Sequence, residues 1–199
     1  MADFNEDKVV VTDNEWVDVK REAFPEVGAD DYIYIVAKKE TAAAIILDKK
    51  TLQYVMRMEG TLYSNFAPTV KIMTETIEPG ETPEIAVVRG VEEEFGIGVG
   101  YDINVAYLGT INGTFQELHN YYIYFIVMDY EKTEFEGDGS IGEEKSDSLL
   151  VDGTKLNITK DFLTWIAYGM LQQGITRGDD QITALLDLHA IDPNLLKNI

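Results

Sequence analysis

The chain has 199 residues, a hydrophobic content of 45% and no cysteine, which predicts one packed domain without disulfides or thiolate metal sites. Its net charge of −20 makes nucleic acid an unfavourable partner, because a polyanion is repelled by an acidic surface. No stretch approaches the roughly 20 apolar residues of a membrane span, and the acidic start MADFNEDKVV lacks the apolar region of a signal peptide, so the sequence favours a cytoplasmic protein with no membrane partner.

Strands dominate the first part of the chain. EWVDVKREAF and DYIYIVAKKE cluster or alternate apolar residues, which predicts a strand-rich N-terminal segment, 1–40, ahead of a main domain, 41–199. TAAAIILDKKTLQYVMRMEG then indicates a hairpin with a Lys-Lys turn. APTVKIMTETIEPG indicates a short strand that runs into a turn.

A helix with clear end signals follows that turn. Thr82 is placed to cap the helix, Pro83 suits its first position, and Glu84 lies in its first turn. The apolar pattern continues to Phe95, and Gly96 suits the left-handed residue that ends a helix. We therefore predict a helix over 83–95.

The second half alternates strands with helices. INVAYLGTING and NYYIYFIVMDY indicate strands, and the second is apolar enough to be buried on both faces. EKTEFEGDGSIGEEKSDS is typical of a loop, and LLVDG indicates a short strand. Thr159 and Gly174 predict the ends of one helix, and DDQITALLDLHAI predicts a last one. The interleaving indicates an α/β (α+β) fold around a mixed β-sheet.

Three consecutive glutamates lie near the end of the helix predicted at 83–95. Consecutive helical residues are about 100° apart, so Glu92, Glu93 and Glu94 cannot share one face, whereas positions 93 and 94 both neighbour position 90. Magnesium is commonly held by one or two carboxylates together with substrate phosphates, which Glu93 and Glu94 could supply. The alternative is a solvated acidic helix end, which the helix dipole disfavours only slightly.

The stretch IEPGETPEIAVVRGVEEEFGI resembles the Nudix box, here in a degenerate form. That pattern is a Gly, five residues, a Glu, seven residues, Arg-Glu, an aliphatic residue, any residue, Glu-Glu, any residue, Gly and an aliphatic residue. The matching positions are Glu81, Arg89, Val91, Glu93, Glu94, Gly96 and Ile97. Glu75 stands where the pattern has its first Gly, and Gly90 stands where it has the Glu after the Arg.

The resemblance implies a Nudix fold, in which a mixed sheet is sandwiched between helices. It also implies that Arg89 pairs with Glu81 to fix the preceding loop and that Gly96 ends the helix. Glu93 and Glu94 correspond to the family's metal-binding, catalytic carboxylates. The implied cofactor is Mg²⁺ (or Mn²⁺), which bridges a diphosphate and activates water for attack on phosphorus.

Looser similarities point to the branch of ADP-ribose and nucleoside-diphosphate-sugar pyrophosphatases. They lie in YLGTINGTFQELHNYYIYFIV and YGMLQQGITRGDDQITALLDL, and in the N-terminal strands. This branch implies a small-molecule partner, a nucleoside diphosphate linked to another group, and a homodimer that packs its N-terminal segments. An acidic loop residue often completes its metal site. Glu143, Glu144 and Asp147 are candidates here, and we assign Glu144, with a solvated loop as the alternative.

Gly90 leaves two functional hypotheses open. The first is an enzyme with fewer carboxylates at its metal site. The second is a Nudix-fold protein without turnover that either binds nucleotides or has a structural role in an assembly. If the protein is such an enzyme, Gly90→Glu is expected to stabilise the helix by a few tenths to about 1 kcal/mol, because glycine is a poor helix former. The gain is expected only with magnesium present, because the added carboxylate otherwise repels its acidic neighbours. The two histidines, His119 and His189, are expected to be structural.

Overall fold

Two β-sheets and three α-helices make up the part of the chain that the structure, a computed structural model, describes. It describes residues 17–24, 29–60, 68–95, 103–113, 117–131 and 147–197. The strands there are β1 Val17–Phe24, β2 Ala29–Ala37, β3 Thr41–Asp48, β4 Tyr54–Gly60, β5 Pro68–Lys71, β6 Met73–Thr76, β7 Val105–Asn112, β8 Glu117–Leu118, β9 Asn120–Met128 and β10 Asp147–Val151. The helices are α1 Pro83–Phe95, α2 Phe162–Arg177 and α3 Asp180–Leu188, and short 3-10 turns lie at Gly153–Ile158 and Pro193–Leu195.

The larger sheet is mixed, as the sequence predicts. Its strand order is β10-β4-β3-β9-β7, with β5 paired to β4 and β6 paired to β3. The central pair, β3 and β9, is parallel, and the other pairs of this sheet are antiparallel. The smaller sheet has the order β1-β2-β8 and contains the N-terminal strands.

Alternating residues of β3 face two different layers of helix. Ala43, Ile45 and Leu47 pack into the apolar core beneath α2 and α3. Ala42, Ala44 and Ile46 pack into the core beneath α1. β9 is divided in the same way, with Phe125 on the first side and Ile126 on the second. The sheet is therefore sandwiched between helices, and its central strands are apolar because both faces are buried.

Helix α1 begins and ends where the sequence predicts, at Pro83 and Phe95. The hydroxyl of Thr82 accepts a hydrogen bond from the backbone N–H of Ile85 at 3.3 Å, which confirms the predicted N-cap. The hairpin prediction is also confirmed, since β3 and β4 pair antiparallel through Ile46 with Val55.

The predicted ends of α2 are wrong at both positions. Asp161 caps the helix by accepting from the backbone N–H of Thr164, and Thr159 lies before the helix with its hydroxyl bonded to a carbonyl of β5. Gly174 lies inside α2, which ends at Gly178 in the left-handed conformation with a φ of 70°. Gly174 is needed for packing, because a β-carbon there would lie 2.2 Å from Ile182 Cδ1 of α3.

None of the helices in the described ranges is long and apolar enough to cross a membrane.

Candidate active site

Arg89 joins helix α1 to the loop that precedes it. Its Nε donates to Glu81 Oε1 at 2.9 Å and its Nη2 donates to Glu81 Oε2 at 3.1 Å. Nη2 also donates to the backbone carbonyl of Thr76 at 2.8 Å. The hydrogen bonds that Arg89 donates to Glu81 lower the pKa of the Glu81 carboxyl group below its ordinary value. The ion pair that the sequence predicts is therefore present as a bidentate contact, a geometry that fixes orientation as well as charge.

The remaining nitrogen of Arg89 lies between two further carboxylates. Nη1 is 3.2 Å from Glu75 Oε1 on β6 and 3.2 Å from Glu93 Oε2 on α1. Glu75 is largely buried, which raises its pKa, whereas the Glu93 side chain is 59% exposed. A single guanidinium thus brings a strand carboxylate and a helix carboxylate together.

Glu94 points to the other side of this region, towards β4. Its Oε2 lies 3.5 Å from Nε of Arg57, and Arg57 Nη1 donates to the Glu94 backbone carbonyl at 3.2 Å. Glu59 completes the arrangement, since it lies 3.2 Å from Arg57 Nε and 2.6 Å from Lys71 Nζ. The Arg57 side chain is only 2% exposed, so this charge lies in the protein interior and depends on the carboxylates around it.

Burial dominates the electrostatics of Glu94. Desolvation raises the pKa of its carboxyl group to about 8, although the positive charge of Arg57 acts in the opposite direction. Glu94 Oε2 is buried and has no hydrogen-bond partner among the described residues. A cation that reached this oxygen would satisfy an acceptor that these residues leave without a donor.

Position 90 has little room for a side chain. A β-carbon added to Gly90 would lie 2.9 Å from Met73 Sδ and 3.1 Å from Glu75 Cβ. Strand β6 therefore lies directly against α1 at this point. The expectation that Gly90→Glu stabilises the helix leaves out this contact, which opposes the gain in helix propensity.

The remaining predicted site residues are not all within the described part of the chain. Gly96, the residue directly after α1, lies outside the described part of the chain. Glu143 and Glu144 also lie outside it. Asp147 is described and begins β10, opposite Met58 of β4.

Both histidines lie outside this region. His119 Nε2 lies 2.8 Å from Thr41 Oγ1, and its ring lies 4.2 Å from that of Tyr121. His189 caps the C-terminal end of α3.

Sequence reasoning missed Arg57. Its only signal was a single cation inside the largely apolar strand YVMRMEG, where a cation needs a buried partner. Glu75 was noticed only as a departure from the Nudix pattern, and no sequence signal showed that it contacts Gly90.

The fit of a divalent metal to this region is partial. Glu93 and Glu94 supply hard oxygen donors, and the buried Glu94 Oε2 lacks a hydrogen-bond donor. Within the described ranges, no group of three or more acidic or histidine side chains is already arranged to hold an ion. The described residues therefore suit a metal that takes further oxygens from substrate phosphates and water.

Comparisons with known proteins concern the family and the fold of this chain. The family model of the NUDIX domain matches residues 37–156, which is more than half of the chain. The chain therefore belongs to the Nudix family of hydrolases. A comparison with curated proteins by sequence gave no match.

One solved structure shares the overall fold of this chain. A crystal structure of an ADP compounds hydrolase superposes with a TM-score of 0.62 at 13% identity, covering 86% of this chain and 92% of that one. A MutT structure, from work on Aliivibrio salmonicida and Vibrio cholerae, superposes with a TM-score of 0.47 at 15% identity, covering 67% and 95%. At such identities the likeness concerns the fold alone.

Proposed function

We propose that this protein hydrolyses the diphosphate of a nucleoside diphosphate linked to another group, such as ADP-ribose or a nucleotide sugar, in a reaction that depends on Mg²⁺ or Mn²⁺. The supporting observation is the end of α1, where the buried Oε2 of Glu94 lacks a hydrogen-bond donor among the described residues. Glu93 lies beside it on the same helix and is accessible.

A metal is needed here on electrostatic grounds. The substrate carries a charged diphosphate and the chain has a net charge of −20, so the two repel each other at long range. When bound, a divalent ion supplies the positive charge that neutralises the diphosphate and lowers the pKa of water for attack on phosphorus. Glu93 and Glu94 would hold the ion, with Glu144 as a further proposed ligand.

The protein's own residues keep the two carboxylates in position. Arg57 contacts Glu94 through both the carboxylate and the backbone carbonyl, which fixes the last turn of α1 against β4. Arg89 holds the loop before α1 through Glu81 and approaches Glu93 at 3.2 Å. Such fixed charges reduce the reorganisation that is required when substrate binds.

The substrate class rests on resemblance. The similar stretches on β7 to β9 and on α2 and α3 favour the ADP-ribose branch, and the ADP compounds hydrolase shares the fold. That protein is described as hydrolysing ADP compounds, which is the activity we propose to test first.

The test is phosphate release from ADP-ribose and from a nucleotide sugar in the presence of Mg²⁺, measured after treatment with a phosphatase that acts only on the monoester products. We expect turnover that is lost in EDTA and lost in Glu94→Gln. Glu92→Gln is the matched control, because it removes the same charge from a different side of α1. The proposal fails if no diphosphate is cleaved, or if cleavage by the wild type persists in EDTA.

Nucleotide binding without turnover is the second candidate. It is favoured by the lack of three converging acidic side chains in the described ranges. In that case ADP-ribose would raise the thermal midpoint in a concentration-dependent manner while no product formed.

We also propose a homodimer that packs its N-terminal segments, 1–40, with a Nudix domain over 41–199. Strands β1 and β2 form a sheet with β8 that is separate from the larger sheet, and Ile35 on β2 is 38% exposed. Sedimentation of the full chain and of a chain beginning at residue 41 tests the proposal, and an unchanged mass per particle in the shortened chain would contradict it.

A further inference from the structure

The contact between α1 and β6 places a strand carboxylate at the position where a helix side chain would begin. Gly90 is buried, and the point where its β-carbon would lie is 3.1 Å from Glu75 Oε2. The carboxylate of Glu75 therefore occupies the space beside the helix that a side chain at position 90 would need.

This space belongs to the same stripe of the helix as the two site glutamates. Residues three and four apart on a helix are surface neighbours, so position 90 adjoins Glu93 and Glu94. A carboxylate that fills the space next to Gly90 is consequently on the side of α1 from which Glu93 and Glu94 project.

Glu75 is held in this orientation by contacts with its other oxygen. Its Oε1 accepts from the backbone N–H of Thr76 at 2.9 Å and lies 3.2 Å from Arg89 Nη1. The same Nη1 contacts Glu93, so Glu75 and Glu93 are brought against one guanidinium group. These contacts leave Oε2 directed at Gly90.

We propose that Glu75 is the third protein carboxylate of the metal site. A glutamate and a glycine have exchanged places between strand and helix, so that β6 supplies the carboxylate that α1 lacks at position 90. This inference rests on the proposed metal-dependent function. Among the described residues the three carboxylates do not yet converge. Binding of the ion would require Glu93, which is far more exposed than Glu75, to turn away from Arg89, and Glu94 to turn away from Arg57.

The first test is Glu75→Gln, which keeps the size of the side chain and an acceptor for the Thr76 N–H but removes the charge. Binding of Mn²⁺ alone is measured by calorimetry and by the rise in thermal midpoint. We expect the affinity to fall by about tenfold or more, because affinity for hard cations follows the number of charged ligands. The control Glu92→Gln should bind Mn²⁺ as the wild type does.

The thermal midpoint without metal shows whether Glu75→Gln is folded. A midpoint near the wild-type value together with unchanged Mn²⁺ affinity would overturn the inference. If Glu94→Gln loses Mn²⁺ binding while Glu75→Gln does not, only the role of Glu75 falls and the proposed function stands. If the wild type binds no Mn²⁺ and cleaves no diphosphate, both fall.

The second test is the reverse exchange, Glu75→Gly with Gly90→Glu. Gly90→Glu alone should lower the thermal midpoint, since its β-carbon meets both Met73 and Glu75. Adding Glu75→Gly removes one of these obstacles, so the double variant should recover part of the midpoint. It should also bind Mn²⁺ about tenfold or more tightly than Glu75→Gly alone, because it restores the charged ligand. A double variant that binds Mn²⁺ no better than Glu75→Gly would overturn the inference.

Discussion

Replacing Gly90 by alanine sets helix propensity against packing. Alanine is favoured over glycine inside a helix by roughly 1 kcal/mol, so an open site would be stabilised. At position 90, however, the new methyl group would lie 2.9 Å from Met73 Sδ and 3.1 Å from Glu75 Cβ. Forcing an extra carbon into a filled core costs about 1–3 kcal/mol, so we expect a net loss near 1 kcal/mol. For a chain of this size that loss corresponds to a midpoint about 2–4 °C lower.

Gly169→Ala is the matched control. Gly169 also lies inside a helix, α2, but apart from its chain neighbours and the backbone of α2, no atom of the described residues lies within 4 Å of the position of its β-carbon. The same substitution should therefore raise the midpoint, by roughly 2–4 °C for a gain of about 1 kcal/mol. Thermal unfolding followed by circular dichroism measures both variants. If Gly90→Ala raises the midpoint as much as Gly169→Ala does, β6 moves aside without cost and packing does not keep position 90 a glycine.

Three further predictions concern stability. Arg89→Lys should lower the thermal midpoint by about 2–4 °C, because lysine keeps the charge but loses the bidentate contact with Glu81, which is worth about 1 kcal/mol. An unchanged midpoint would contradict this prediction. Because the folded-state pKa of Glu94 is raised to about 8, the contribution of Glu94 to stability in EDTA is largest below the unfolded value near 4.5 and is lost as the pH rises through 8. In urea titrations, the free energy of unfolding should decline less over this pH range in Glu94→Gln than in the wild type. Equal declines would refute the raised pKa of Glu94. Gly178→Ala should destabilise the protein by about 1 kcal/mol because its φ is 70°, and a urea midpoint at or above the wild-type value would show that the cap tolerates a side chain.

Local signals were sufficient for α1. Thr82 and Pro83 mark its beginning, and the apolar pattern ends at Phe95, so both ends follow from neighbouring residues. The ion pair of Glu81 with Arg89 was implied by the resemblance of the same stretch to the Nudix box, and the structure contains it. The Nudix fold followed from the same stretch.

Local signals failed where another element decides the structure. Gly174 looks like a helix end in the sequence, yet α2 continues to Gly178, and α3 packs closely against α2 at Gly174. Asp161 and Thr159 are both good caps by type, and only the path of the chain past β5 determines which one caps α2.

The candidate site divides in the same way. The sequence determined which carboxylates α1 presents, since residues on one helix have a fixed angular relation. It could not determine that Arg57 from β4 reaches Glu94, or that Glu75 from β6 fills the space beside Gly90. Those contacts join residues that are 37 and 15 positions apart and lie on different elements. Their distances depend on how the sheet and the helix pack together, and only the tertiary structure decides that.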